Sequence, residues 1–361
     1  MNRIIVMAGG TGGHIFPALA VAQKLRLQGC DVSWLGSVGG MEQTLVSNAG
    51  FEGDWIAVSG VRGKGLLTKL LAPFKLLGSV WQALGILRQR KPQAVLGMGG
   101  FASGPGGLAA WLLRCPLVIH EQNAVAGTTN KILSRLSRKV FTAFPGAFGE
   151  GLASEVVGNP VRDEIIALPA PAQRYANRDE KIRVLVLGGS QGALSLNEYV
   201  PTELAAWSAS RAIEVRHQAG QRTIDRATTA YQRSGLKADV VPFIDDMAEA
   251  YGWADLAICR SGALTVSELS ASGVAAVLVP FPYAIDDHQT HNARFLVDTG
   301  AAQLLSDKQC VPGALVGLLN EMASDRDSLL TMARAARTQS KPDAADKVAS
   351  TCMQFANGVA A

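Results

Sequence analysis

Two doubly wound α/β domains in tandem are the fold class this sequence predicts, a pair of parallel-sheet Rossmann-like units facing a cleft. Three observations predict it. Short apolar runs alternate with stretches of helical periodicity from Arg3 to Phe144, the pattern of a parallel sheet with crossover helices. The same alternation restarts at Ile182, after the Pro-, Ala- and charge-rich segment "VVGNPVRDEIIALPAPAQRYANRDEK". Both halves also open on one device, since "RIIVMAGGTGGH" and "IRVLVLGGSQGA" each run from an apolar strand through a glycine turn into a helix.

The runs "RIIVMA", "CDVSWLG", "DWIAVS", "AVLGM", "PLVIHE" and "KVFTAF" are the expected strands of the first half. Those of the second half are "IRVLVLGG", "AIEVRHQAG", "DVVPFI", "LAICRS", "AAVLVP" and "AAQLLS". The expected domains are 1–160 and 161–340, joined near Gly158 to Lys181, with ligands at the C-terminal ends of the strands. The tail from Ser324 reads as two helices separated by Pro342.

Composition narrows the functional classes. With 361 residues, 48% of them hydrophobic, the chain can bury two cores rather than one. Its five cysteines are odd in number and lack CxxC spacing, so neither a disulfide framework nor a zinc site is indicated, and a reducing compartment is expected. "MNRIIVMAGG" reaches glycine too early for a signal peptide, and no later stretch has the roughly 18 uncharged apolar residues of a span. The net charge of +4 conceals an asymmetry: residues 55 to 149 hold twelve Lys or Arg and a single acid, Glu121. Such a face suits an anionic partner, although a merely solvated basic surface would look the same.

Three glycine turns stand out: "GGTGGH" at 9–14, "GMGGFASGPGG" at 97–107 and "GGSQGA" at 188–193. Glycine permits close strand-to-helix packing, and a turn at a helix N-terminus also presents backbone N–H groups to an anion. None continues into the Gly-Lys-Ser/Thr of a Walker loop. In "GTGGHI" Ile15 stands where a dinucleotide fingerprint needs its third glycine or alanine, and the second strand ends in Leu35-Gly36-Ser37 without a ribose-binding acid. Nicotinamide chemistry is therefore disfavoured. His288 and His291 have no third ligand nearby, and the single Asp-x-Asp, Asp325 to Asp327, lies in a helical stretch, so no metal site is expected.

Taken together, "GGTGGHIFPALAVA", "GMGGFASGP", "HEQNAVAG", "GNPVR", "GGSQGA" and "CRSGALTVSEL", in one order between residues 3 and 300, resemble the MurG family of peptidoglycan N-acetylglucosaminyltransferases. The resemblance implies a GT-B enzyme that moves GlcNAc from UDP-GlcNAc, with inversion, to the 4-hydroxyl of MurNAc in lipid I. The product is the β-1,4 linkage of lipid II. It also implies a peripheral protein at the cytoplasmic face of the bacterial inner membrane, partnered by an anionic membrane surface and by cell-wall and division proteins, with no cofactor and no nucleic acid.

Site residues carried over by motif follow from that resemblance. Gly189, Ser190 and Arg162 would hold the donor diphosphate, the Ile244 backbone would meet uracil, and Glu268 would bind ribose hydroxyls beside Ala263, Leu264, Thr265, Val266 and Ser267. Gln289 would read the sugar, and Asn123 with Thr11, Gly12 and Gly13 would contact donor or acceptor. Gly99, Gly100, Ser103 and Gly104 would form the loop for the acceptor pyrophosphate, and the helix at 341–361 would pack back on the N-terminal domain. His288 stands where the family pattern has a second glutamine.

The chemistry also reads from the residues. A carboxylate such as Glu268, placed in the first turn of the helix after "LAICRSGA", can accept two bonds from a vicinal diol, or simply complement the helix dipole. Inversion needs a base near the attacking hydroxyl, and His14, ending a glycine turn, is the candidate; binding substrate by a hydrogen bond is its alternative role. The stretch "GLLTKLLAPFKLLGSVWQALGILRQRK" mixes Leu70, Phe74 and Trp81 with Lys69 and Lys75, which suits anionic headgroups or, alternatively, a core-facing helix. Two other functions use the same donor site. A non-hydrolysing UDP-GlcNAc 2-epimerase needs no acceptor surface, and a sugar-nucleotide sensor has no use for His14.

Overall fold

A computed structural model of the chain describes residues 1–59, 66–176, 178–189 and 192–359; the side chains of residues 66–72 and 285 fall outside that description. The chain divides into two compact units, Met1–Arg162 with Lys341–Ala361, and Asp163–Ser340.

The first unit is built on seven parallel strands, β1 Arg3–Met7, β2 Asp31–Ser37, β3 Glu52–Ile56, β4 Ala94–Gly97, β5 Leu117–Glu121, β6 Lys139–Thr142 and β7 Glu155–Val156, in the order β3-β2-β1-β4-β5-β6-β7. The two-residue β7, at the sheet edge beside β6, was not among the expected runs; its side chains are exposed and carry no apolar signal. Side chains alternate between the faces of β1. Ile4 and Val6 pack with the Gly12–Leu27 helix, whereas Ile5 and Met7 pack with Val80, Ala83, Leu84 and Leu87 from the Leu66–Arg90 helix. Val348, Ala349 and Cys352 of the last helix, Ala344–Ala356, join the first of these cores, so the C-terminal segment belongs to the N-terminal unit.

Six parallel strands make the second unit: β8 Ile182–Leu187, β9 Ile213–Gln218, β10 Asp239–Val241, β11 Leu256–Cys259, β12 Ala275–Leu278 and β13 Ala302–Leu304, ordered β10-β9-β8-β11-β12-β13. β8, β11 and β12 are buried on both faces, which is why they read as unbroken apolar runs. The tail forms the Arg326–Thr338 and Ala344–Ala356 helices on either side of Pro342. All five cysteines are free, and burial pushes the thiols of Cys259 and Cys352 up to about 12.

Each sheet reverses its strand order next to its first strand, between β1 and β4 in one unit and between β8 and β11 in the other. The loops that leave these neighbouring strands diverge to opposite faces and open a crevice at the strand C-termini. The turns at 9–14 and 97–107 line the first crevice, and the turn that begins at Gly188 lines the second.

Candidate active site

In the first unit, the turn after β1 is built over a buried carboxylate. Glu42 is fully enclosed, and its oxygens accept the Gly10 N–H at 3.2 Å, the Ser37 N–H at 3.0 Å and the Ser37 hydroxyl. Burial alone would raise this carboxyl, but the bonds from Ser37 and Gly10 outweigh it and hold it below the usual range. The glycine turn after β4 lies directly against the first: a methyl at Gly100, where φ is +87°, would sit 2.4 Å from the Gly9 carbonyl oxygen. At Gly99, φ +90°, it would come within 2.7 Å of His14 Nδ1. Both positions therefore require glycine for close approach as well as for backbone conformation.

His14 lies in the first turn of the Gly12–Leu27 helix, half-buried, with its backbone N–H donating to Thr11 O at 3.0 Å. Its Nδ1 meets Gln122 Oε1 at 2.8 Å. Gln122 leaves the C-terminal end of β5, two strands from β1, and is itself buried. Behind it lies His120, fully enclosed, with Nε2 at 2.8 Å from Gly158 O; burial pushes this imidazole down to about 4, partly offset by the Gly158 bond and the Glu121 charge. Glu121 organises the loop that follows. It accepts from the Asn123 N–H at 2.9 Å, the Gly127 N–H at 3.1 Å and Asn130 Nδ2 at 2.9 Å, so the half-buried Asn123 is placed by a buried acid. Arg162 belongs to this unit, with its guanidinium 5.4 Å from the centre of the Phe16 ring.

Ser103 is fully buried, and its one hydroxyl proton has Gly99 O at 2.7 Å and Met7 O at 3.1 Å as acceptors, which ties the second glycine turn to β1. Gly104 is half-buried in the same helix start.

In the second unit Gly188 donates to Gln218 O at 2.9 Å, and Gly189, exposed with φ +77°, begins the turn. Ser190 lies outside the described residues. The Leu194–Ser208 helix begins just beyond the turn, and its Ser195 hydroxyl accepts from Arg260 Nη2 at 2.6 Å. Arg260 also donates to Val279 O, Pro280 O and Asp307 Oδ1, and so joins the ends of β11 and β12 to the loop after β13. Glu268 is buried in the Ala263–Ser272 helix and accepts from Tyr251 Oη at 3.1 Å. It falls in the second turn of that helix, not the first, where the dipole has largely decayed; the carboxylate is not there as a dipole partner.

The neighbours of Glu268 divide between core and surface. Val266 is fully buried in the core, and the Ser267 hydroxyl donates to Ala263 O. Ala263 is also buried, while Leu264 and Thr265 are half-buried. Ile244 gives its backbone N–H to Gln218 Oε1 at 3.1 Å, so the carbonyl is the polar group it retains for a base. Gln289 accepts from the Phe281 N–H at 2.9 Å through Oε1, and its carbonyl accepts the Ser261 hydroxyl. The loop before it holds two successive non-glycine residues at positive φ, Asp286 at +53° and Asp287 at +49°.

Among the described residues, no group of three or more His, Cys, Asp or Glu gathers as a metal site. Asp325 of the Asp-x-Asp caps its helix, accepting from the Ser328 N–H at 2.6 Å. The Leu66–Arg90 helix serves two roles along its length: Val80, Ala83, Leu84 and Leu87 are core, whereas Phe74 at 72%, Leu77 at 66% and Trp81 at 73% exposure face outward beside the exposed Lys75. The side chains of Lys69 and Leu70 lie outside the described residues.

Sequence reasoning missed Glu42, His120, Gln122, Tyr251 and Arg260. "HEQNA" and "CRSGA" contained three of them in quoted motifs, but only their neighbours were assigned roles; Glu42 and Tyr251 carry no local signal.

Two doubly wound parallel sheets, each presenting a glycine turn at its switch point, form the GT-B architecture, and the matches that follow make it a glycosyltransferase. Residues 4–142 match the glycosyltransferase family 28 N-terminal domain and residues 183–348 its C-terminal domain. A UDP-N-acetylglucosamine–N-acetylmuramyl-(pentapeptide) pyrophosphoryl-undecaprenol N-acetylglucosamine transferase of Marinobacter nauticus is 52% identical over 357 residues, covering 99% of this chain and 98% of that one. The protein of the same name from Alkalilimnicola ehrlichii is 54% identical over 353 residues, covering 98% and 99%. The crystal structure of Acinetobacter baumannii MurG is similar at a TM-score of 0.84 and 42% identity, covering 98% of this chain and all of that one. A UDP-GlcNAc 2-epimerase from Neisseria meningitidis shares the fold alone, at a TM-score of 0.67 and 13% identity, covering 98% of this chain and all of that one. The chain belongs to the MurG family of family 28 glycosyltransferases.

Proposed function

We propose that the protein transfers GlcNAc from UDP-GlcNAc to the 4-hydroxyl of MurNAc in lipid I, with inversion, to form lipid II. The observation that carries this reading is identity above 50% running through both units to relatives named for that reaction. The donor is bound mainly by the second unit: Gly189, Ser190 and the N-terminus of the Leu194–Ser208 helix take the diphosphate, the Ile244 carbonyl takes uracil, Glu268 takes ribose hydroxyls, and Gln289 takes the sugar through its amide nitrogen, while Arg162, the last residue of the first unit's main segment, is a further diphosphate ligand. In the first unit, Thr11 to Gly13 and Asn123 contact donor or acceptor, and Gly99, Gly100, Ser103 and Gly104 form the loop for the acceptor pyrophosphate.

In the reaction the acceptor oxygen bonds to the anomeric carbon as the bond from that carbon to the diphosphate oxygen breaks. The electron pair leaves with UDP, and the hydroxyl proton passes to His14 Nε2. The departing charge meets Arg162, Ser190 and a helix N-terminus, so fixed cations and dipoles carry it. UDP release is expected to continue in excess EDTA; restoration by Mg²⁺ after loss would overturn that account.

The exposed face of Phe74, Lys75, Leu77 and Trp81 is proposed to rest on an anionic membrane surface at the cytoplasmic side, where the acceptor resides, and Lys69 and Leu70 are proposed from the sequence to join it. No helix among the described residues is long and apolar enough to cross a membrane, which suits a peripheral protein. Incubation with UDP-GlcNAc, with and without a lipid I analogue, tests the whole reading. UDP release that depends on the acceptor is the expected result; a ManNAc product, or no product in either arm, would replace it with an epimerase or a sensor.

A further inference from the structure

The hydrogen bonds behind His14 have a direction, and two backbone carbonyls set it. Carbonyl oxygens only accept. Gly158 O, at 2.8 Å, therefore requires the proton of His120 to be on Nε2, and because this enclosed ring is neutral at pH 7, its Nδ1 is left as an acceptor. Gln122 Nε2 lies 3.3 Å from His120 Nδ1 and 3.3 Å from His120 O, where only the NH₂ end of the amide can face both. The opposite amide orientation would set two carbonyl oxygens against each other. Gln122 Oε1 is thereby turned toward His14 Nδ1 at 2.8 Å, as an acceptor. Asn159 Nδ2 donates to Gln122 O at 3.1 Å and holds the backbone of the same residue, while Gly99 leaves room for the paired ring and amide.

We infer that Gln122, oriented by His120, is a positioning residue that holds His14 as the Nδ1–H tautomer, with Nε2 unprotonated and ready to accept a proton. This rests on the reading of His14 as the base, and it adds what that reading lacks: a reason for the correct ring nitrogen to be the free one. Among the described residues Nε2 has no partner. A neutral amide can enforce the tautomer without placing a carboxylate beside the imidazole, where it would stabilise the protonated ring and weaken the base.

The test is nitrogen-15 NMR of the full-length protein labelled at its five histidines, with His14→Asn used to assign the resonances. At neutral pH His14 is expected to show Nδ1 protonated and Nε2 in the far-downfield position of an unprotonated ring nitrogen, and His120 the reverse. Gln122→Met keeps the length of the side chain but removes the acceptor. It is expected to leave His14 in mixed tautomers and to lower kcat at least about tenfold, within the 10²- to 10⁴-fold that a general base supplies, with KM for UDP-GlcNAc little changed.

A wild-type His14 protonated on Nε2 would overturn the inference, as would a Gln122→Met enzyme with tautomer and kcat unaltered. If the tautomer is as inferred but His14→Asn keeps its kcat, the base reading falls and the relay stands.

Discussion

The two glycine turns that open the two units look alike in sequence and differ in what stands behind them. Under the first, a buried, ionised Glu42 takes the Gly10 amide, one of the groups a phosphate would otherwise use. Beside the second, the group joined to the helix start through Ser195 is Arg260, an arginine balanced by Asp307. A strand, a glycine turn and a helix therefore do not by themselves make an anion site. The charge beneath the turn bears on whether one forms, and the Glu42 carboxylate disfavours an anion at the first turn.

Glu42 gives the largest test of that contrast. Glu42→Ala strands the Gly10 and Ser37 donors in the interior, and loss of charge-assisted bonds at about 1.5–3 kcal/mol each predicts a fall of about 3 kcal/mol or more in unfolding free energy, read from the urea midpoint. Glu42→Gln removes the charge and keeps an acceptor. If the first turn bound the donor diphosphate, this change would tighten UDP-GlcNAc binding; unchanged affinity is expected.

Acid sharpens the comparison. His120 in one unit and His217 in the other are buried neutral, with burial pushing them to about 4 and about 3. Below the ordinary histidine value of about 6.5 the unfolded chain gains protons that the native one refuses, so stability falls as pH falls, with a slope approaching about 1.4 kcal/mol per pH unit for each histidine. Glu42 acts in the first unit alone. Its lowered carboxyl contributes stability above the unfolded carboxylate range that is lost as pH drops through its folded value, so amides of β1 and β4 are expected to lose hydrogen-exchange protection at pH 4 by a larger factor than those of β8 and β11. Equal losses in the two sheets would contradict the burial of an ionised acid under one turn only.

On the donor side, Glu268→Ala is expected to weaken UDP-GlcNAc binding by roughly 1.5–3 kcal/mol in a calorimetric titration. No change would remove Glu268 from the site. The smallest effect concerns the membrane, where reversing Lys69 and Lys75 to Glu should cost about 1 kcal/mol per residue in binding to vesicles of anionic lipid. Binding should also fall as salt rises, since exposed charges are screened within about 8 Å at physiological ionic strength. Turnover of a short, water-soluble acceptor should change much less, and equal wild-type binding to neutral and anionic vesicles would return this surface to a solvated face.

All six strand runs expected in the second half occur, and six of the seven strands in the first, because burial on both faces of a parallel strand writes itself as a continuous apolar run. The strand that went unread, β7, is two exposed residues, and its pairing with β6 is a tertiary fact without a local pattern. Glu268 shows the limit of counting from a motif. Its residue type is legible, but its position in the second helical turn depends on where the helix starts, and Gly262 as N-cap was not evident beforehand.

Local order in the sequence determined the class of fold, the place of the glycine turns and the family, since hydrophobic period, glycine punctuation and motif order are properties of adjacent residues. Tertiary structure alone decided which side chains act as partners. Gln122 reaches His14 across 108 positions because the strand order places β5 two strands from β1, and Glu42 reaches Gly10 because a helix after β2 folds back beneath the turn. A hydrogen bond needs two atoms within about 3 Å. Sequence records that both groups exist, and only the packed sheet brings them to that distance.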